Sequence, residues 1–203
     1  MSFESREGLH AIVLAAGASS RFGSIKQRAL LDGRPLLNTL VERAGEAVDE
    51  VLVVLGAHAA QLAPMLAHTR ASVIINRGWE EGLASSIRSG IARLPASCAA
   101  VMLVLADQAR VTVQDLRRLG AAWLRQPDAI VAARFGAITG APAIFPRCVF
   151  PDLTELRGDV GARRVIERHL SRVTAIPMPN AAFDLDTPED LAALSAAPTP
   201  PVP

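Results

Sequence analysis

Short apolar runs alternate along the chain with longer stretches whose apolar residues recur at three- and four-residue spacing. Residues 10–14, 51–55, 72–75, 100–105 and 129–132 read as strands. They are apolar throughout instead of alternating, as expected where helices cover both faces of a sheet. Residues 35–45, 57–67, 83–93 and 113–125 read as amphipathic helices, the first with proline at a favoured first-turn position. This alternation predicts an α/β fold, a doubly wound and mostly parallel sheet in three layers. After residue 132 the rhythm changes. Residues 135–146 are rich in glycine and proline around a short apolar segment, 143–145, and are followed by helical candidates at 150–156 and 160–169 and a strand at 173–176. Thr187-Pro188-Glu189-Asp190 has a capping threonine, a first-turn proline and two acids, and opens a last helix to residue 194. Residues 1–194 are expected to form a single domain. The rest, 195–203, holds four prolines in nine residues and reads as a disordered tail.

Composition narrows the classes of function. The 203 residues are 50% apolar and 20% charged, enough to bury a core. Basic and acidic residues number 21 and 20, a net charge of +1, which argues against a nucleic-acid or membrane-surface partner. The longest uncharged apolar run, 98–106, has nine residues, against the roughly 20 that span a bilayer. The first seven residues mix charges and lack the pattern of a secretory signal. Cys98 and Cys148 are too few for a disulfide framework and read as reduced, buried thiols. A cytoplasmic protein is expected. The four histidines, His10, His58, His68 and His169, show no ligand spacing and read as solvated or packed.

Candidate chemistry concentrates after the first strand, in Leu14-Ala15-Ala16-Gly17-Ala18-Ser19-Ser20-Arg21-Phe22-Gly23-Ser24-Ile25-Lys26. Open α/β sheets place ligands at this position. Small residues let backbone N–H groups approach phosphate oxygens, and Arg21 and Lys26 supply neutralising charge. The spacing fits neither a Walker loop nor the dinucleotide Gly-x-Gly-x-x-Gly fingerprint. The segment is either a phosphate-binding loop or a flexible surface loop with two solvated cations.

Further along, Gly82 precedes a helix whose start carries Ser85 and Ser86, hydroxyls able to meet a base or ribose or to act as caps. Nearby Trp79 reads as a packed aromatic. Asp107 ends a buried strand, where a carboxylate either overlooks the ligand crevice and takes Mg²⁺ or caps a turn. Asp184 and Asp186 are two apart, so in an extended segment they point the same way and one or both could face a metal.

The loop over 14–26 resembles the signature Leu-Ala-Ala-Gly-x-Ser-x-Arg-x-Gly-x-x-Lys of the nucleotidyltransferases of molybdenum cofactor biosynthesis, the MobA/MocA-like family. Asn76–Ile87, Asp107-Gln108, Gly158–Arg163 and Phe183–Leu191 resemble its other elements. The resemblance implies a Rossmann-like, glycosyltransferase-A-like fold and a nucleotide site of Leu14, Ala15, Ala16, Gly17, Arg21, Lys26, Gly82 and Ser86. It implies Asp107 and Asp186 as Mg²⁺ ligands, and Arg21, Lys26 and Asp107 as the catalytic set. An acceptor site of Gly140, Asp159 and Arg163 follows, with Arg163 available to a pterin phosphate. Ala16 is similar to the cytidylyl branch, where the guanylyl branch has glycine, so CTP is expected over GTP. Two positions depart from the pattern. Ala109 replaces a proline, which is expected to loosen the loop after Asp107, and Thr139 replaces an arginine.

The activity implied is transfer of CMP, with GMP as the lesser choice, to a phosphate-bearing acceptor such as molybdopterin. A molybdenum-dependent dehydrogenase is a possible partner. The same core could instead serve a sugar or polyol phosphate, or act without catalysis as a maturation factor for a molybdenum enzyme.

Overall fold

The computed structural model describes residues 8–196, without the side chains of 195 and 196. Its nine strands and seven α-helices alternate in the predicted manner. β1 (Leu9–Ala15) is followed by a small hairpin, β2 (Leu30–Leu31) and β3 (Arg34–Pro35), and by α1 (Leu36–Gly45). Next come β4 (Glu50–Leu55), α2 (Ala59–Leu62), β5 (Ser72–Ile75), α3 (Leu83–Ile91), β6 (Ala100–Leu105) and α4 (Val113–Arg125). The C-terminal part adds β7 (Ile130–Phe135), β8 (Ile138–Pro146), α5 (Phe150–Thr154), α6 (Arg163–Arg168), β9 (Val173–Pro177) and α7 (Pro188–Ala196). Seven strands form one sheet in the order β5-β4-β1-β6-β8-β7-β9. All neighbours are parallel except β8, which runs antiparallel to both β6 and β7.

The apolar runs are buried on both faces, as their continuity requires. One face packs Leu9, Ala11, Val13 and their neighbours beneath α1, α2 and α4. The other packs Ile12, Leu103 and Phe145 beneath α3, α5 and α6. A third, smaller cluster joins Phe22, Leu36, Leu40, Ala109 and Leu185. Its members come from four segments far apart in sequence, and three of those segments carry site residues.

Several elements differ from the expectations. The glycine- and proline-rich stretch holds a nine-residue strand, β8, where the sequence marked only the three-residue apolar segment 143–145. Gly140 and Pro142 are tolerated because the β7–β8 register shifts between Ala132 and Ala133, which skips Ala141 and Pro142, and Pro146 is the last residue of the strand. The helix expected over 57–67 is one α-turn and a 3₁₀ turn at Ala63–Leu66, with Pro64 at the junction. α7 runs to Ala196, so the first two residues of the expected tail are helical; 197–203 lie outside the described residues, as does the N-terminal segment 1–7. Cys98 is buried, and burial pushes its thiol pKa up to about 11, but Cys148 is exposed in the turn after β8. Among the described residues no helix is long and apolar enough to cross a membrane.

Candidate active site

β1 and β6 are parallel neighbours, with Leu14 opposite Leu105, so their carboxyl ends deliver the glycine-rich loop and Asp107 side by side. A backbone hydrogen bond from the Leu185 N–H to the Asp107 carbonyl, 2.8 Å, brings the distant Asp186 segment to the same place. Asp190 completes the arrangement. Its carboxylate accepts from the backbone N–H groups of Asp186 and Thr187, at 3.0 and 2.8 Å, while its own N–H donates to the Thr187 hydroxyl. The acid expected to serve the helix dipole is therefore also the partner that fixes Asp186. These hydrogen bonds, the one from the Asp186 N–H foremost, hold the Asp190 carboxyl below its ordinary pKa.

At the centre, the Lys26 ammonium donates to Asp107 Oδ2 at 2.9 Å and to Asp186 Oδ1 at 3.0 Å. The Arg21 guanidinium pairs with Asp186 Oδ2 at 3.0 Å. Lys26 is largely buried, and burial alone would lower its pKa. Attraction to Asp107 and Asp186 and the hydrogen bonds to them outweigh that, so it lies above its ordinary value and stays charged. Four side chains, two cationic and two anionic, thus meet from residues 21, 26, 107 and 186. They border a cleft of about 680 Å³ lined also by Leu14–Gly17, Trp79, Gly82, Ser86 and Asp159.

Residues given no site role by the sequence hold this cleft in shape. Gln27 is buried, accepts a hydrogen bond from the Ser19 hydroxyl at 3.1 Å and donates to the Gly17 carbonyl at 3.4 Å. His58 Nε2 donates to the Ala18 carbonyl at 3.0 Å, so that histidine is a loop tether. Buried Asn76 donates to both Ser85 Oγ and Ser86 Oγ, at 2.8 and 3.1 Å, and accepts from the Gly78 N–H. With Asn76 donating to its oxygen, the Ser86 hydroxyl keeps its proton for the cleft. Gln27 and Asn76 are buried and His58 is half-buried, and the contacts that give them these roles come from the folded chain and not from any local spacing. Gly56 is the tightest point. A Cβ there would sit 2.5 Å from the Ala16 carbonyl oxygen and 2.8 Å from the Ala16 Cβ. Gly56→Ala is expected to displace the glycine-rich loop, raise the KM for nucleotide about tenfold and lower the melting temperature by several degrees; an unaltered KM would disconnect the two.

The departure at Ala109 has a different outcome from the expected loosening. Ala109 is buried in the third cluster, and its N–H donates to the Asp107 carbonyl at 2.8 Å, a bond proline cannot make. Arg43 donates to the carbonyls of Ala109 and Val111, at 2.9 and 2.8 Å, and ties down the other side of the loop.

The acceptor candidates divide. Asp159 lines the nucleotide-sized cleft, and its backbone lies against Gly82, where φ is +115° and a Cβ would come within 2.7 Å of Asp159 N and Cα. Gly82 thus lets this loop come close to the start of α3. Gly140 and Arg163 line a second pocket of about 180 Å³, which shares Leu14, Leu83 and Leu105 with the first. Thr139 lies opposite Arg134 on β7. Asp184 and Asp186 do not open to one cavity: Asp186 lines the first and Asp184 the second. Desolvation, with the negative charges of Asp107 and Asp186, raises the Asp184 pKa to about 6.

Among the described residues no group of three or more His, Cys, Asp or Glu side chains is arranged as a metal centre. Asp107 and Asp186 nevertheless fit a hard divalent cation that draws its remaining ligands from substrate. Such ions commonly take one or two carboxylates plus phosphate oxygens, and Asp107 Oδ1 is buried without a hydrogen-bond partner.

A doubly wound sheet with a cationic small-residue loop and two carboxylates at its carboxyl edge is the arrangement of a nucleotide-binding transferase. Over residues 11–173 the chain matches the MobA-like NTP transferase domain, and it belongs to that family of nucleotidyltransferases. The purine catabolism protein PucB of Bacillus subtilis is 31% identical over 191 residues, covering 88% of this chain and 92% of PucB. A probable molybdenum cofactor guanylyltransferase of Nostoc is 28% identical over 200 residues, covering 92% of this chain and 90% of that protein. The crystal structure of Rv0371c from Mycobacterium tuberculosis superposes with a TM-score of 0.81 at 28% identity, covering 94% and 98% of the two chains. The same protein is also known as a manganese complex, with a TM-score of 0.77 at 25% identity, covering 94% of this chain and 100% of that chain.

Proposed function

We propose that the protein transfers a CMP group from CTP to a phosphate-bearing acceptor of molybdopterin type and releases pyrophosphate. The observation that carries the reading is the single ammonium of Lys26 bonded to both Asp107 and Asp186, with Arg21 alongside, at the edge of a cleft floored by Leu14–Gly17.

An oxygen of the acceptor phosphate attacks the α-phosphorus. A new P–O bond forms as the bond to the β-phosphate oxygen breaks, and that electron pair leaves on pyrophosphate. The attacking phosphate is already ionised, so no general base is needed. Lys26 and Arg21 hold the triphosphate and neutralise charge on the leaving group. Backbone groups of Ala15–Gly17 seat the base together with Ser86, whose hydroxyl is kept as a donor by Asn76. Asp107 and Asp186 would hold Mg²⁺, which supplies Lewis-acid polarisation of phosphate oxygens when bound. Positioning and charge carry the catalysis.

CTP is favoured over GTP by the resemblance of Ala16 to the cytidylyl branch, where the guanylyl branch has glycine; the Ala16 Cβ lies close against Gly56. Relatives named as guanylyltransferases make GTP the competitor to test. Pyrophosphate release with Mg²⁺, molybdopterin and each nucleoside triphosphate is expected to be fastest with CTP, and Ala16→Gly is expected to shift the preference toward GTP. Turnover with GTP alone would overturn the base assignment. Nucleotide binding with no release on any phosphate acceptor would overturn the transfer reading.

A further inference from the structure

The Lys26 ammonium lies between Asp107 and Asp186 and offsets their repulsion. The proposed reaction asks the same ammonium to face a triphosphate, so the two carboxylates need a second means of staying together until a cation joins them. Asp184 adds to the crowding, since the charges of Asp107 and Asp186 reach it. Residues 183–186 belong to no helix or strand, so regular backbone bonding does not hold Asp186 in place. A clasp of paired residues does. On one side stand Asp107, Gln108 and Arg110, and on the other Leu185, Ala181 and Phe183. The Leu185 N–H donates to the Asp107 carbonyl at 2.8 Å, and Gln108 Nε2 donates to the Ala181 carbonyl at 3.1 Å. The Arg110 guanidinium lies 4.3 Å from the centre of the Phe183 ring. Asn180 closes the clasp at its far end, where its Nδ2 donates to Asp115 Oδ2 at 2.8 Å.

We infer that Asn180 is a positioning residue, which through Asp115 sets the spacing of Asp107 and Asp186 for a shared divalent cation. The inference rests on the reading of those two carboxylates as Mg²⁺ ligands. An ionised carboxylate only accepts, so the Asn180 amide has one possible orientation. Asp115 is a firm anchor. It is 6% exposed, and the same oxygen accepts from the Thr112 N–H at 3.0 Å and the Thr112 hydroxyl at 2.8 Å, which locks the start of α4. Arg118, 3.9 Å from Asp115 Oδ1, and Arg43, which the Asp115 charge reaches, supply counter-charge. A hydrogen bond to a charged group is roughly twice as strong as one between neutral groups. Asn180 stands on the turn at Pro179–Ala182, outside the lining of the nucleotide cleft. Because it acts on the spacing of the carboxylates, its loss falls on the metal and not on the nucleotide.

The test uses the full-length protein with CTP and no acceptor, so that nothing turns over, and follows binding by calorimetry with and without Mg²⁺. Asn180→Asp sets two carboxylates face to face. It is expected to weaken Mg²⁺-dependent CTP binding about tenfold or more, with metal-free CTP binding unchanged. Adding Asp115→Asn puts one amide and one carboxylate back in exchanged places, and is expected to recover most of the loss. Should Asn180→Asp fail to fold, Asn180→Leu decides, with a loss in the same direction. Mg²⁺-dependent binding unmoved in the Asn180 variants, an equal loss of metal-free binding, or an exchanged pair no better than Asn180→Asp would overturn the inference while the transfer reading stands. Wild-type protein that binds CTP no better with Mg²⁺ than without it would instead remove Asp107 and Asp186 as metal ligands, and the inference with them.

Discussion

Lys26→Ala is expected to lower nucleotidyl transfer by about a thousandfold, measured as pyrophosphate release at saturating CTP. Removing one preorganised donor to developing charge costs on the order of a hundred- to a thousandfold, and Lys26 has a second duty. Its ammonium is the shared counter-charge of Asp107 and Asp186, so its loss also leaves two carboxylates facing each other. The effect should fall on kcat as well as KM, since leaving-group charge develops only as the bond breaks. None of the three apolar clusters includes Lys26, so circular dichroism should show a folded protein. Near-normal release from the variant would remove Lys26 from the chemistry.

Asp107→Asn is expected to cost at least about a hundredfold in turnover and to move the Mg²⁺ titration to about tenfold higher concentration or beyond. Replacing even an outer-shell partner of a metal ligand typically costs about ten- to a hundredfold. The amide keeps the shape of the carboxylate but surrenders the anion that Oδ1 and Oδ2 share, and one of the two partners of Lys26 with it. Loop geometry should survive, because the Asp107 carbonyl still accepts from Ala109 and Leu185. An unchanged magnesium titration would exclude Asp107 as a ligand.

What the sequence made legible follows the range of the interactions involved. The glycine-rich loop could be read because its small residues and two cations are neighbours in the chain, directly after an unmistakable strand. The alternation of apolar runs and amphipathic stretches likewise carried most of the sheet and both helical layers. The spacing of Asp184 and Asp186 marked both as candidates, but the choice of Asp186 came only through resemblance, since nothing local says that residue 186 lies beside residue 26. Gln27, Asn76 and Gln108 are polar residues made structural by burial, and burial is a property of the assembled fold. Gly56 is required by a contact with Ala16, forty positions earlier in the chain. β8 was hidden by its own composition: Gly140, Pro142 and Pro146 argue against a strand until the register shift beside Ala133 accommodates the first two. Ala109 was misjudged because the family's proline suggested rigidity from a ring, whereas here the loop is fixed by Arg43 and a buried methyl group.

The bond between Lys26 and Asp186 spans 160 positions. On the ribosome, therefore, the cation emerges long before its second anion, and the charge cluster at the tip of strand β1 is complete only once residue 186 has been made. Pairing of such distant residues closes late. A product truncated before Asp186 would retain all seven strands of the sheet yet lack one of the four charges at its carboxyl edge, and is expected to be inactive.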